Sequence, residues 1–192
     1  MAQSNLYIIA GCNGAGKTTA SFAMLPEILG CRNFVNADEI ARGLSPFSPQ
    51  VVSVKAGRLM LQRIEELLAA NEDFAIETTL APRSYINLVN RAHALGYKVF
   101  VVFFWIESVE QAKERVAQRV REGGHGIEEE IIERRYKRGI YNLLNLYMPV
   151  CDCVLVINNT KAPAYKMAEK TNRSEQVKVI DSQMWNKLIQ TI

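Results

Sequence analysis

The stretch Gly11-Cys12-Asn13-Gly14-Ala15-Gly16-Lys17-Thr18 decides the fold. It satisfies G-x-x-x-x-G-K-[ST], the pattern of a phosphate-binding loop. Its flanks agree with that reading. Leu6–Ala10 is an apolar run of strand length directly before the loop, and Thr18 to Leu25 reads as a helix directly after it. Gly11, Gly14 and Gly16 let backbone amides approach phosphate oxygens closely. The helix that follows turns its partly positive N-terminus toward the anion. Lys17 supplies a point charge for the β- and γ-phosphates, and the Thr18 hydroxyl is placed for Mg²⁺. Cys12, Asn13, Ala15 and Thr19 complete the segment expected around the phosphates.

Composition sets the outer bounds. A chain of 192 residues, 48% hydrophobic and 22% charged, suits one well-buried globular domain spanning residues 1–192. A net charge of +3 is too mild to argue for a nucleic-acid surface. No apolar stretch reaches membrane-spanning length, and the N-terminal residues lack the basic start and cleavage site of a signal peptide. A cytoplasmic location is therefore expected. The four cysteines, Cys12, Cys31, Cys151 and Cys153, lack zinc or C-x-x-C spacing and read as reduced thiols in apolar surroundings.

Apolar runs alternate with longer segments of helical period. Strands are expected at Leu6–Ala10, Asn33–Asn36, Phe74–Glu77, Val99–Phe104 and Val154–Ile157. Helices are expected at Lys17–Leu25, Val51–Ala70, Arg83–Leu95, Val109–Glu122 and Glu128–Leu146. This alternation implies an α/β protein with a parallel sheet and helices on both faces, three layers in all. Beyond Asn159 the pattern weakens to an edge strand at Val177–Ile180 and a closing helix at Gln183–Ile189.

In open α/β sheets, ligands sit at the carboxyl ends of the strands. Asp38 follows the second strand. There it either accepts the proton of an attacking hydroxyl or caps the helix Glu39–Leu44. Glu77 ends the third strand, as a metal-positioning carboxylate, a substrate contact or a solvated strand end. Thr78 and Thr79 either cap the next helix or, for Thr79, reach a substrate. The arginine-rich stretch Arg115 to Arg138 contains Gly123-Gly124-His125-Gly126, a glycine break suited to a mobile lid over about residues 119–135. Val109, Ala112, Val116 and Val120 share one helical face, and Ile132, Tyr136, Ile140 and Leu143 share another. Arg119 and Arg135 border those faces and are the candidate charge-stabilising residues; the alternative for each is a surface ion pair.

Taken in order, GCNGAGKTT, FVNADEIARGLSP, FAIETTL, ALGYKVFVVFFWIES and RVAQRVREGGHGIEEEIIERRY resemble the small zeta-toxin-like P-loop kinases, over roughly residues 6–160. The resemblance implies a nucleotide-kinase sheet of strand order 2-3-1-4-5 with a helical lid. It implies ATP and Mg²⁺ as cofactors and phosphorylation of a sugar hydroxyl in UDP-N-acetylglucosamine. Lys17 and Thr18 match the family's phosphate and metal residues, and Asp38 matches its base. Glu77 and Thr79 match residues near metal and sugar. Arg119 matches a phosphate-contacting arginine, and the second lid contact falls to His125 or Arg135. An antitoxin partner is implied as well. The established toxins are longer and carry an acidic residue where this chain has Asn36. A polynucleotide or nucleoside kinase, and a nucleotide-dependent binding protein, are the competing readings.

Overall fold

The computed structural model describes residues 3–124, 126–173 and 175–192. Its frame is one seven-stranded sheet in the order β2-β3-β1-β4-β5-β6-β7. The strands are β1 (Asn5–Ala10), β2 (Asn33–Val35), β3 (Phe74–Thr78), β4 (Lys98–Trp105), β5 (Cys153–Asn158), β6 (Tyr165–Lys170) and β7 (Lys178–Val179). The first five are parallel and take the expected 2-3-1-4-5 order. β6 and β7 extend the sheet antiparallel.

β1 lies between β3 and β4, with Ile8 opposite Ile76 on one side and Val101 on the other. A strand covered on both faces has no polar side to alternate, so Leu6, Ile8, Ile9 and Ala10 are all fully buried. The helices are α1 (Lys17–Glu27), α2 (Ala37–Leu44), α3 (Ser53–Ala69), α4 (Tyr85–Ala94), α5 (Val109–Arg121), α6 (Glu129–Asn142) and α7 (Ser182–Ile189). α3 buries Ala56, Met60, Ile64, Leu67 and Leu68, a stripe of helical period.

The differences from expectation have local causes. The segment read as one helix from Val51 begins as a 3₁₀ turn, Pro49–Val52, where Pro49 sets the first position, and becomes α-helical at Ser53. The helix expected from Arg83 starts at Tyr85. α6 ends at Asn142 and widens into a π-turn over Leu143–Tyr147. Val120 does not complete the buried face of α5; it is exposed beside the glycine break. β6 departs from the sequence-based expectation, because YKMAEK carries three charges, Lys166, Glu169 and Lys170, with no period-two alternation, and lies near the sheet edge.

Candidate functional site

The site sits at the carboxyl ends of β1, β2 and β3. Gly11 leaves β1 at φ +138°, and a Cβ there would lie 2.3 Å from the Phe104 carbonyl oxygen of β4. Gly14 has φ +80°, and its Cβ would lie 2.8 Å from the Ala112 carbonyl oxygen of α5. Only glycine allows the loop to run this close to both elements. Lys17 opens α1 and is buried at 7% exposure. Its Nζ donates to the Cys12 carbonyl at 2.9 Å and stands 3.8 Å from Glu77 Oε1. Burial pushes the Cys12 thiol up to about 11, against a smaller opposing pull from Lys17, so this thiol is neutral near pH 7. All four cysteines are free thiols.

Three side chains converge on Glu77. The Thr18 hydroxyl lies 3.0 and 2.9 Å from its two carboxylate oxygens, and Asn36 Nδ2 donates to Oε2 at 3.0 Å. Lys17 is the third. Burial raises the Glu77 pKa, Lys17 and Thr18 pull it down, and Asp38 and Glu39 push it up. The Thr18 oxygen keeps lone pairs for a cation while its proton points at Glu77. This all-oxygen pair fits a hard divalent ion that takes its other ligands from phosphates and water. Among the described residues, no three His, Cys, Asp or Glu cluster as a metal cage.

The cap of α2 is Asn36, not Asp38. Asn36 Oδ1 accepts the Asp38 N–H at 2.8 Å and the Glu39 N–H at 3.5 Å. The Asp38 carboxylate is thereby released from the capping role and lines the cavity. Neither Thr78, which ends β3, nor Thr79 caps α4. Thr78 Oγ1 accepts the N–H of Leu80 at 3.1 Å within the turn. Leu80 is fully buried in the left-handed region, at φ +61°. A branched side chain held there stores strain of about 1–2 kcal/mol. Asn142 Nδ2 of α6 stabilises the turn by donating to the carbonyls of Leu80 and Ala81, at 2.8 and 3.0 Å. This rigid turn sets Thr79 at the cavity wall.

A cavity of about 480 Å³ is lined by Asn13, Lys17, Thr18, Asp38, Glu77, Thr79 and three arginines, Arg115, Arg119 and Arg135. Arg135 Nη1 donates to Asn13 Oδ1 at 3.1 Å, tying α6 to the phosphate loop. Burial lowers the Arg135 pKa, and the charge of Asp38 nearby raises it. Arg119 lines both this cavity and an adjoining groove of about 680 Å³ that also meets Arg42, Phe47 and Gly124. A third hollow of about 470 Å³ joins the two, running from Asp38 and Arg135 past Gln50 and Ser53 to Gly126. His125 lies outside the described residues.

Sequence reasoning missed Arg115. Its guanidinium donates to the carbonyls of Gly14 (3.4 Å), Asn159 (2.9 Å) and Thr160 (2.9 Å). Asn159 Nδ2 in turn donates to the Ala15 carbonyl at 2.8 Å. Together they strap the phosphate loop to the end of β5. The signal was available: Arg115 stands four residues before Arg119, so both share one face of α5.

Helix α5 ends in a glycine cap. The N–H of Gly123 bonds to the Val120 carbonyl at 3.0 Å, and that of Gly124 bonds to the Arg119 carbonyl at 2.9 Å. This paired pattern is the Schellman motif. No helix among the described residues is long and apolar enough to cross a membrane.

Comparison with known proteins agrees with this architecture. Over 134 residues the chain is 28% identical to an uncharacterized protein of Haemophilus influenzae, covering 70% of this chain and 94% of that protein. Its fold is similar to that of a chain in the AvrRxo1-ORF1:AvrRxo1-ORF2 complex with sulphate ions (TM-score 0.75, 16% identity, 97% of this chain). This chain spans 63% of the length of that one. A chain of the PezAT chromosomal toxin–antitoxin system of Streptococcus pneumoniae is similar throughout (TM-score 0.70, 14% identity, 100% of this chain and 86% of that chain). A gluconokinase from Sinorhizobium meliloti shares the fold more loosely (TM-score 0.52, 14% identity, 97% of this chain and 92% of that chain). The fold is thus that of a kinase-like P-loop domain, and through the match over residues 6–139 the chain belongs to the AAA domain family.

Proposed function

We propose that this protein is an ATP-dependent kinase that transfers a phosphoryl group to a hydroxyl of a small molecule, a nucleotide sugar such as UDP-N-acetylglucosamine. The observation that carries the reading is the single cavity in which Lys17, Thr18, Asp38, Glu77, Thr79, Arg119 and Arg135 meet. The likeness in fold to the PezAT chain and to the AvrRxo1 complex, which has also been solved with ATP, supports it. So does the resemblance of the sequence motifs to zeta-toxin-like kinases. The same reading carries an antitoxin-like protein partner as part of the proposal.

In this scheme the amides of Gly11–Thr19 and the Lys17 ammonium hold the phosphates of ATP. Thr18 and Glu77 would hold Mg²⁺, which would supply neutralisation of the phosphate charge. Asp38 accepts the proton of the acceptor hydroxyl as its oxygen bonds to the γ-phosphorus. The bond from that phosphorus to the β–γ bridging oxygen breaks, and ADP leaves. Arg119 and Arg135 face the equatorial oxygens, where charge is spread in the transition state. Thr79 orients the acceptor from the rigid turn after β3. The hollow beyond Asp38 offers room for an acceptor larger than a monosaccharide.

The test is incubation with ATP, Mg²⁺ and UDP-N-acetylglucosamine, followed by mass spectrometry. The expected product is one phosphate heavier than the acceptor. A parallel reaction offers 5′-hydroxyl oligonucleotides, and mass gain only there would replace this reading with a polynucleotide kinase.

A further inference from the structure

We propose that Asn36 is a positioning residue that holds the Asp38 and Glu77 carboxylates in one fixed arrangement. The proposal rests on reading the cavity as a magnesium–nucleotide site. Asn36 is 6% exposed, at the carboxyl end of β2. Both ends of its amide are engaged. The oxygen accepts the N–H groups of Asp38 and Glu39, and the nitrogen donates to Glu77 Oε2 at 3.0 Å.

An amide is planar, so its two ends are not independent. Seating the oxygen on the first turn of α2 aims the nitrogen at Glu77. The residue that fixes the backbone under Asp38 therefore also fixes the carboxylate facing Thr18. Two segments far apart in sequence, β2–α2 and β3, are registered through one side chain. Capping alone does not call for asparagine, since serine or aspartate caps about as well. A serine is too short to span from α2 to Glu77, and an aspartate presents a second carboxylate where a donor is needed. Asparagine alone among the strong caps offers both an acceptor and an opposed donor.

The arrangement has a consequence for metal–nucleotide binding. Losing a group that orients a metal-binding side chain typically costs about 10–100-fold in metal affinity or activity. Here Lys17, Thr18 and Asn36 are such groups. Lys17 and Thr18 are shared between Glu77 and the metal–nucleotide, so Asn36 is the donor to Glu77 with no ligand role of its own.

The test uses Asn36→Ser, which keeps the cap and breaks the link. Affinity for a non-hydrolysable ATP analogue is measured with Mg²⁺ and with EDTA, alongside the melting temperature. The expected result is a melting temperature lowered by several degrees as buried Glu77 loses a donor, an EDTA affinity within about twofold of wild type, and loss of about tenfold of the magnesium-dependent gain. In a Glu77→Gln background, Asn36→Ser should cost nothing further; additive losses would overturn the coupling. A magnesium-dependent gain left intact by Asn36→Ser would overturn the proposal alone. A wild type with no such gain would overturn the metal reading and this proposal with it. Should Asn36→Ser not fold, ¹⁵N NMR of the wild type decides. The Asn36 side-chain protons should exchange slowly and shift on adding magnesium and nucleotide, and fast-exchanging, unresponsive protons would overturn the proposal.

Discussion

At the scale of single residues, the proposed mechanism divides the cavity between groups that bind and a group that reacts. Lys17 binds: its ammonium is buried and has one backbone partner, the Cys12 carbonyl. Removing it takes away a charge-assisted contact worth about 1.5–3 kcal/mol, roughly tenfold to a hundredfold in affinity. Lys17→Ala should therefore weaken ATP binding by that factor in calorimetry, and unchanged affinity would remove the loop from the mechanism. Asp38 reacts. Because Asn36 provides the cap, the Asp38 side chain has no structural bond to lose at the start of α2. Asp38→Asn should keep its melting temperature and its ATP affinity while phosphoryl transfer collapses. A variant that transfers phosphate at the wild-type rate would remove Asp38 as the base. The difference between these two residues was only partly legible in the sequence. The phosphate loop is a contiguous pattern with a mechanism attached, so Lys17 and Thr18 could be named outright. Asp38 follows Asn36 by two positions, both are good caps, and choosing between them needs the backbone angles of the turn. The four-residue spacing from Arg119 puts Arg115 on the cavity side of α5, but its partners are the carbonyls of Gly14, Asn159 and Thr160, and which carbonyls it meets has no sequence signature.

At the scale of elements, the site depends on how closely α6 approaches the turn after β3. Gly139 on α6 faces that turn, and a Cβ there would lie 2.7 Å from the Thr79 carbonyl oxygen. The contact is with backbone, so it cannot be relieved by rotating a side chain. Gly57 on α3 makes a natural control, since a Cβ there would meet nothing within 4 Å. Within a helix, glycine to alanine ordinarily stabilises by about 0.5–1 kcal/mol. Gly57→Ala should follow that rule. Gly139→Ala should reverse it, destabilising by about 1–3 kcal/mol as α6 is forced off the turn. Arg135 and Asn142 ride on α6, so Gly139→Ala should also weaken whatever depends on them. Denaturant melts of the two variants give the signs directly, and a stabilised Gly139→Ala would show that α6 moves freely over the turn. Helical period alone placed Ile132, Tyr136 and Ile140 on the buried face of α6. It was silent on Gly139, because periodicity marks apolar side chains and not the absence of one. The same limit hid β6, whose buried apolar positions, Met167 and Ala168, are adjacent and so carry no strand period.

At the scale of the whole molecule, the cavity and a tie between four segments lie at opposite ends of the sheet. The tie is Asp152, just before β5. Its Oδ2 accepts the Val99 N–H at 2.7 Å and lies 2.9 Å from His93 Nε2, and its Oδ1 meets Arg173 Nε at 3.0 Å. One carboxylate thus joins the end of α4, the start of β4, the start of β5 and the segment after β6. Burial pushes its pKa up, but the Val99 amide, His93 and Arg173 outweigh burial and hold it below the usual value of 3.8. A depressed carboxylate stabilises the fold above its unfolded pKa, and that contribution is lost as pH falls through the lower folded value. Asp152→Ala leaves the Val99 N–H without its partner and should cost about 1.5–3 kcal/mol near pH 7, or about 3–12 °C in melting temperature. The penalty should shrink as the pH is lowered below about 4, since the wild type then loses the same charge. Nucleotide affinity should not change, because none of these partners lines the cavity at the phosphate loop. Melting curves from pH 3 to 7, paired with calorimetry at pH 7, check both halves. A penalty that does not vary with pH would show that the Asp152 charge contributes nothing, and a loss of nucleotide affinity would show that the two ends of the sheet are coupled through β4 and β5.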